Sequence, residues 1–290
     1  MSKPTTLTSN DVRNLELTAA ELRLRIVQMM GAEKAHHFGG SLSCADLLTA
    51  LYFKIMHYDG GNPRMPSRDR FVMSKGHSVP AQYAALAMLG VIPINELSSL
   101  KMLGTRLQGH PATRYTPGLE ACTGSLGQGL SFAIGMALAA RLKKEDYRVY
   151  CLMGDGELHE GQVWEAALDA PNLGLTKVVA IIDHNSLKGM DDCAGCAKPI
   201  GGIAPRFAAF GWRVREIDGH DMAEICRAFA WASEPSEAPA AVVARTVKGK
   251  GVSFLENQAK YHNSPLSADQ LRLAVDELTL KLSVLKEGRS

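Results

Sequence analysis

The 290-residue sequence predicts an α/β fold, a mostly parallel β-sheet with helices on both faces. Two observations carry this. From about residue 125 onward, short apolar runs alternate with segments of helical period. Runs such as "KVVAII" (177–182) are continuously apolar, which fits strands buried on both faces, as in a parallel sheet.

The elements follow in order. Residues 11–33 read as a helix, because Val12, Leu15, Ala19, Leu22, Ile26 and Met30 recur at three- and four-residue steps, with Ser9 or Asn10 as cap. "ADLLTALYFKIM" (45–56) reads as a second, mostly buried helix, "RFVMS" (70–74) as a short strand, and 79–89 as a helix of small residues. "LGQGLSFAIGMALAARL" is a helix leading to a strand at 147–153; helix 161–170 and strand 177–182 follow. After a loop come strand 212–217, helix 221–232, strand 240–246 and a last helix from about 267. No internal repeat or domain linker stands out, and "SEPSEAP" (233–239) reads as a loop before a strand.

Composition excludes several classes. At 46% hydrophobic and 21% charged residues the chain is of ordinary globular type. A net charge of +2 gives no electrostatic case for nucleic acid. No apolar run is long enough to span a bilayer, so no membrane partner is expected. The N-terminus lacks the apolar core of a signal peptide, and the expected location is cytoplasmic. Six cysteines form no secreted disulfide framework. Cys193 and Cys196 make a "CAGC", but no second pair completes a zinc site, and the surrounding Gly- and Asp-rich stretch does not open a helix as a redox motif would. They read as two loop thiols.

The chemistry gathers after two successive strands. "GDGELHEG" (154–161) follows one and "DHNSLKG" (183–189) the next. In open α/β sheets ligands collect beyond the carboxyl ends of the strands, so the two loops can face one site. The residues suit Mg²⁺ carrying a diphosphate, since Mg²⁺ takes six oxygens and usually only one or two protein carboxylates. Asp155 supplies an anionic oxygen, Asn185 an amide oxygen and Leu187 a backbone carbonyl. Gly154 and Gly156 leave room for phosphate oxygens at the backbone. "GDG" alone is equally a plain strand-to-helix turn; its pairing with Asn185, one helix and one strand later, is what points to a site.

"GDGELHEG…IIDHNSL" resembles the thiamin-diphosphate fingerprint, with His184 where a polar amide or Asp is usual. Nearly the whole chain resembles transketolase. The matching segments are "HHFGGSLSCADLLTALYF" (36–53, Phe38 standing for a proline), "DRFVMSKGHSVPAQYAAL" (69–86), "QGHP" (108–111), "TGSLGQGLSFAIGMALA" (123–139), "FGWRVREIDGHD" (210–221) and "KGKGVSF…YHNSPL" (248–266).

The resemblance implies the thiamin-diphosphate-binding fold and assigns residues. His37, His77, His110 and His262 resemble histidines lining the channel to the cofactor. His77 is similar to a diphosphate ligand that also faces substrate, and His110 to the residue that bonds the donor's C1 hydroxyl. His37 and His262 are similar to residues that polarise sugar oxygens and relay protons, work that neutral imidazoles suit. Gly124 and Leu126 resemble contacts to the diphosphate and the thiazolium ring, and Lys75 and Lys248 resemble supporting cations, although solvated lysines would look the same. Glu160 and Glu165 resemble glutamates that link paired active sites across the interface between subunits, Glu160 also serving cofactor and catalysis. Glu157 fits an exposed acid in a helix's first turn better. His36, His57, His159 and His220 read as structural or surface residues.

Transketolase chains are ordinarily over twice as long and continue into pyrimidine-binding and C-terminal domains. Residues 1–290 therefore read as a single diphosphate-binding domain, with those two domains expected on a partner chain in an α2β2 assembly. The glutamate that activates the cofactor has no candidate here. The expected cofactors are thiamin diphosphate and Mg²⁺, for which Ca²⁺ or Mn²⁺ could substitute; the expected reaction is two-carbon ketol transfer from a ketose phosphate to an aldose. Three alternatives stay open: a split transketolase for a branched, amino or sulfonated sugar, the α subunit of a 2-oxo-acid decarboxylating enzyme, and an orphan subunit kept for assembly.

Overall fold

The computed structural model describes residues 7–187 and 202–288. Cys193 and Cys196 lie outside the described residues.

Five strands form the sheet: β1 (Arg70–Met73), β2 (Val149–Gly154), β3 (Val178–His184), β4 (Arg213–Asp218) and β5 (Ala240–Arg245). Their order is β1-β2-β3-β5-β4, and every pairing is parallel. One row across the sheet reads Val72, Cys151, Ala180, Ala241 and Val214. Successive residues of a strand point to opposite faces, and the core divides accordingly. Phe71, Tyr150, Leu152, Val179, Ile181 and Val242 pack on one side with α1 (Ser9–Met30), α3 (Ala45–Ala50), α4 (Val79–Met88) and α8 (Met222–Ala232). Val72, Cys151, Met153, Ala180, Ile182 and Val243 pack on the other with α5 (Gly129–Lys143), α6 (Gly161–Asn172) and α7 (Ile203–Ala209). The predicted α/β class with helices on both faces is the fold observed.

The helix ends carry the differences. α1 is capped by Thr8, not Ser9 or Asn10: the Thr8 hydroxyl accepts from Asp11 N–H at 3.1 Å, and the Asp11 carboxylate accepts from Thr8 N–H at 3.0 Å. The helix expected at 45–56 changes to π geometry at Leu51–Ile55. α6 runs past its expected end through Pro171. Proline cannot donate to the carbonyl four residues back, Ala167, and that oxygen instead accepts the Trp212 indole N–H at 2.7 Å. Two short helices, α2 (Phe38–Ser43) and α7, have no sequence counterpart above; each is barely two turns, too short to display a period. α9 (Ala268–Glu287) closes the chain and packs on α1. Among the described residues, no helix is long and apolar enough to cross a membrane.

The register decides where the loops meet. Met73 at the end of β1 lies beside Leu152, Gly154 at the end of β2 beside Asp183, and His184 at the end of β3 beside Arg245 of β5. Four strands therefore deliver Lys75 to His77, Asp155 to Glu157, Asn185 to Leu187 and Thr246 to Lys248 to one edge of the sheet.

Candidate active site

A cavity of about 180 Å³ opens at this edge. Gly40, Lys75, His77, Leu126, Gly154, Asp155, Gly156, Glu157, Asn185, Leu187, Lys248 and His262 line it. The structure thus gathers residues from segments far apart in the chain.

Asp155 is 7% exposed. One carboxylate oxygen accepts Gly156 N–H at 2.8 Å and the other accepts Ser186 N–H at 2.7 Å, which ties the two loops together. Ser186 holds a left-handed backbone (φ 62°), and the turn there lets Asn185 and Leu187 both line the cavity. The Asn185 side-chain oxygen accepts Leu187 N–H at 3.2 Å, and the Leu187 carbonyl accepts the Lys248 ammonium at 3.3 Å. One carboxylate, one amide oxygen and one carbonyl form a hard donor set around the same space. That set, with backbone at Gly154 and Gly156 beside it, fits Mg²⁺ shared with phosphate oxygens. Burial, then the nearby Asp183 charge, raises the Asp155 carboxyl above its usual value.

Asp183 and Glu157 are acids at the site that sequence reasoning missed. Asp183 is fully buried. It accepts the Lys75 ammonium, the Thr246 hydroxyl and, at 2.5 Å, the Ser43 hydroxyl. Burial alone would raise its pKa; Lys75 and these donors hold it low instead. Lys75 also donates to the Gly40 carbonyl at 2.7 Å, so its ammonium braces the cavity wall. The signal was an acid at the end of a wholly apolar strand, which has to find a partner.

Glu157 corrects the expectation of an exposed acid: it is 2% exposed. It accepts the Ser74 hydroxyl, Gly127 N–H at 2.9 Å and Gly154 N–H at 3.2 Å. The carboxylate thereby fastens the 123–129 segment to the ends of β1 and β2. Gly76 is needed at this junction, because a Cβ there would lie 2.6 Å from the Thr123 carbonyl carbon.

The four histidines come together. Ring centroids are 4.9 Å apart for His37 and His77, 5.2 Å for His77 and His262, 5.3 Å for His37 and His262, and 6.4 Å for His37 and His110. Burial, then neighbouring His262 and Lys101, lowers His37 to about 3. Burial, then Lys248 and Lys75, lowers His262 to about 4. His77 falls well below its ordinary value through burial and Lys75, and His110 falls too, through burial and Lys101. All four are therefore neutral imidazoles at pH 7, able to donate from one nitrogen and accept at the other. Lys248 is buried and is lowered to about 8 for the same first reason.

Gly124 does not line the cavity; it lies under the His110 ring, which a Cβ would meet at 2.8 Å. Glu160 and Glu165 are not brought to the cavity either. Both are exposed at the start of α6, Glu160 resting its side chain on Gly127. His36 is buried and His159 exposed. His220 is structural: its Nδ1 lies 2.7 Å from the Asp46 carboxylate, and its Nε2 accepts Val247 N–H at 2.8 Å, next to Lys248.

Residues 16–283 match a family described as transketolase, thiamine diphosphate binding domain. The chain is 42% identical over 276 residues to an apulose-4-phosphate transketolase subunit from Phocaeicola vulgatus, covering 95% of this chain and 98% of that one. It is 41% identical over 265 residues to 6-deoxy-6-sulfo-D-fructose transketolase subunit SqwG of a Clostridium species, covering 91% and 96%. Human transketolase is 38% identical over 274 residues, 94% of this chain but only 43% of the human protein. The crystal structure of transketolase from Campylobacter jejuni superposes with a TM-score of 0.80 at 30% identity, covering 94% of this chain and 48% of that one.

Proposed function

This chain belongs to the transketolase family, and from that premise we propose that it is the diphosphate-binding subunit of a two-chain transketolase. The observation that carries the proposal is four imidazoles packed together, with His77 and His262 lining a cavity that also holds Asp155, Asn185 and Leu187. In this reading residues 1–290 are one diphosphate-binding domain, and a partner chain brings the pyrimidine-binding and C-terminal domains in an α2β2 assembly. Two relatives named as transketolase subunits, matched over nearly their whole length, support a separate partner. A cytoplasmic location goes with it.

Asp155, Asn185 and the Leu187 carbonyl would hold Mg²⁺, and Gly154, Gly156 and His77 would face the diphosphate. Leu126 would lie against the cofactor ring, and Lys75 and Lys248 would offset charge at the cavity wall. Bound thiamin diphosphate supplies a carbon nucleophile and an electron sink for cleaving the ketose C2–C3 bond. The chain's own residues bind and orient the sugar. In this reading His37, His110 and His262 hydrogen-bond hydroxyl and carbonyl oxygens and move protons between them, work that a neutral imidazole does in both directions. Glu160 and Glu165, exposed in the single chain, are free to meet the partner's carboxylates where the two chains join and relay a proton there.

A second reading keeps the chemistry and changes the sugar. It is favoured by the two bacterial relatives described above, whose names carry apulose 4-phosphate and a sulfonated fructose. The histidine cluster argues against a 2-oxo-acid decarboxylating enzyme, whose substrate has no polyhydroxylated chain to hold.

The test is ketol transfer from xylulose 5-phosphate to ribose 5-phosphate, with the chain alone and with its co-purified partner, in thiamin diphosphate and Mg²⁺. Activity in the complex only, lost in Asp155→Ala, is the expected result. Full activity of the isolated chain would overturn the two-chain reading. Cofactor binding without transfer would direct the search to another sugar.

A further inference from the structure

Three polar side chains behind the strand-end cavity form one continuous set of contacts: Arg23 of α1, Asp46 of α3 and His220 in the loop after β4. Arg23 and Asp46 are buried, and neither they nor His220 lines the cavity. Arg23 forks onto Asp46, Nη1 donating to one carboxylate oxygen at 2.9 Å and Nη2 to the other. The Nδ1 of His220 lies 2.7 Å from the same carboxylate. Burial alone would raise the Asp46 carboxyl; Arg23 and His220 hold it down at about 2, so it stands as an anion behind the imidazole.

The contacts that make His220 structural also give it a task. Its Nε2 accepts Val247 N–H at 2.8 Å. A nitrogen that accepts there carries no proton, so the ring's N–H is at Nδ1, facing Asp46. Val247 sits where the chain leaves the sheet. One residue earlier, Thr246 N–H still bonds the His184 carbonyl at 3.0 Å. One residue later comes Lys248. Its stem crosses Gly39, where a Cβ would meet the lysine Cγ at 2.8 Å, and its ammonium donates to the Leu187 carbonyl at 3.3 Å. Gly249 N–H then donates to the Gly39 carbonyl at 3.0 Å. The backbone around Lys248 is thus pinned on both sides, by His220 before it and by Gly39 after it.

We propose that His220 is a positioning residue for the diphosphate site: oriented by Asp46 and Arg23, it fixes Val247 and so holds Lys248 against the Leu187 carbonyl at the cavity wall. A carboxylate behind an imidazole sets its tautomer and its ring angle. Both are needed here, because a bare nitrogen must point at one particular N–H. A residue that only filled space would need neither. The inference rests on the diphosphate-site reading above and deepens it, adding a residue that touches neither cofactor nor sugar.

The experiment is calorimetric titration of thiamin diphosphate with Mg²⁺ into the assembled complex. His220→Asn keeps a donor for Asp46 and removes the acceptor for Val247; His220→Gln carries an amide oxygen that can take over from Nε2. His220→Asn should bind the cofactor about tenfold more weakly, the usual size of effect for a group that orients a ligating one. His220→Gln should restore part of that affinity. Added to Lys248→Met, His220→Asn should cost less than about twofold, because the histidine acts through that lysine. A full tenfold loss in both backgrounds, or no loss in either, would overturn the proposal. If the wild-type complex binds no thiamin diphosphate, the diphosphate-site reading itself fails. The hold on Lys248 is then judged without ligand, by brief acetylation with acetic anhydride read by mass spectrometry. Lys248 should label several-fold faster in His220→Asn than in wild type while Lys75, buried in the same wall, stays unchanged. Equal rises at both lysines would mean general loosening, and an unchanged Lys248 would mean another anchor; either result overturns the proposal.

Discussion

The carboxylate of Glu157 accepts the backbone N–H of Gly127 at 2.9 Å, joining two segments that the sheet alone would leave unconnected. The same side chain takes the Gly154 N–H and the Ser74 hydroxyl, so one buried acid sets the spacing between the 123–129 segment and the cavity floor. Replacing it should therefore be costly. Glu157→Ala leaves two buried donors and a part-buried one without an acceptor, for an expected loss of about 2–4 kcal/mol. Urea unfolding should show a lower midpoint at unchanged slope, and thiamin diphosphate should bind more weakly.

The Lys75–Asp183 pair is the most deeply buried ion pair among the described residues, with side chains 3% and 0% exposed. Lys75→Met strands a buried carboxylate and should cost roughly 3–5 kcal/mol. Lys75→Met combined with Asp183→Asn should recover part of that loss, because no unpaired charge remains. Thermal unfolding of the two variants beside wild type checks the order.

Ser186 offers a conformational test. Its φ of 62° is tolerated by glycine and resisted by β-branched residues. Ser186→Gly should leave stability and Mg²⁺ affinity near wild type. Ser186→Val should cost about 1–2 kcal/mol in backbone strain and weaken Mg²⁺ binding, because Asn185 and Leu187 are carried by that turn. Calorimetric titration with Mg²⁺ and thiamin diphosphate reads the difference.

The histidines predict an acid-side loss of stability. His37 and His262, lowered to about 3 and about 4 by burial, stay neutral in the folded chain where an unfolded histidine gains a proton. Their contribution is complete above about pH 6.5 and is lost progressively as pH falls toward 4. Asp155 and Glu157, raised by burial, act in the opposite sense, so the informative quantity is a difference between proteins. Between pH 7 and 5 the Tm of His37→Gln should fall less than that of wild type.

The strands and long helices were legible because their signal is local. β2, β3 and β5 are continuous apolar runs, and a parallel sheet needs such runs. The "GDG" turn and Asn185 could be paired because one helix and one strand return the chain to the adjacent sheet position. α2 and α7 were not legible, since six- and seven-residue helices show no full period. Glu157 was misjudged for a different reason. Its partners Ser74 and Gly127 lie 83 and 30 residues away, and an acid near a helix start ordinarily faces water. Lys75 could be a solvated cation or a buried brace until the register of β1, β2 and β3 set it beside Asp183.

By itself the sequence determined the fold class, the strand ends from which the site is built, and the residue types that gather there. Tertiary structure alone decided which of those residues are buried, which charges are paired, and that His37, His77, His110 and His262 share one neutral cluster while Glu160 and Glu165 stand outside it. The physical reason is that periodicity and turn chemistry act between near neighbours in the chain. Desolvation and charge pairing depend on distances in space, which parallel register and close packing create only once distant segments have met.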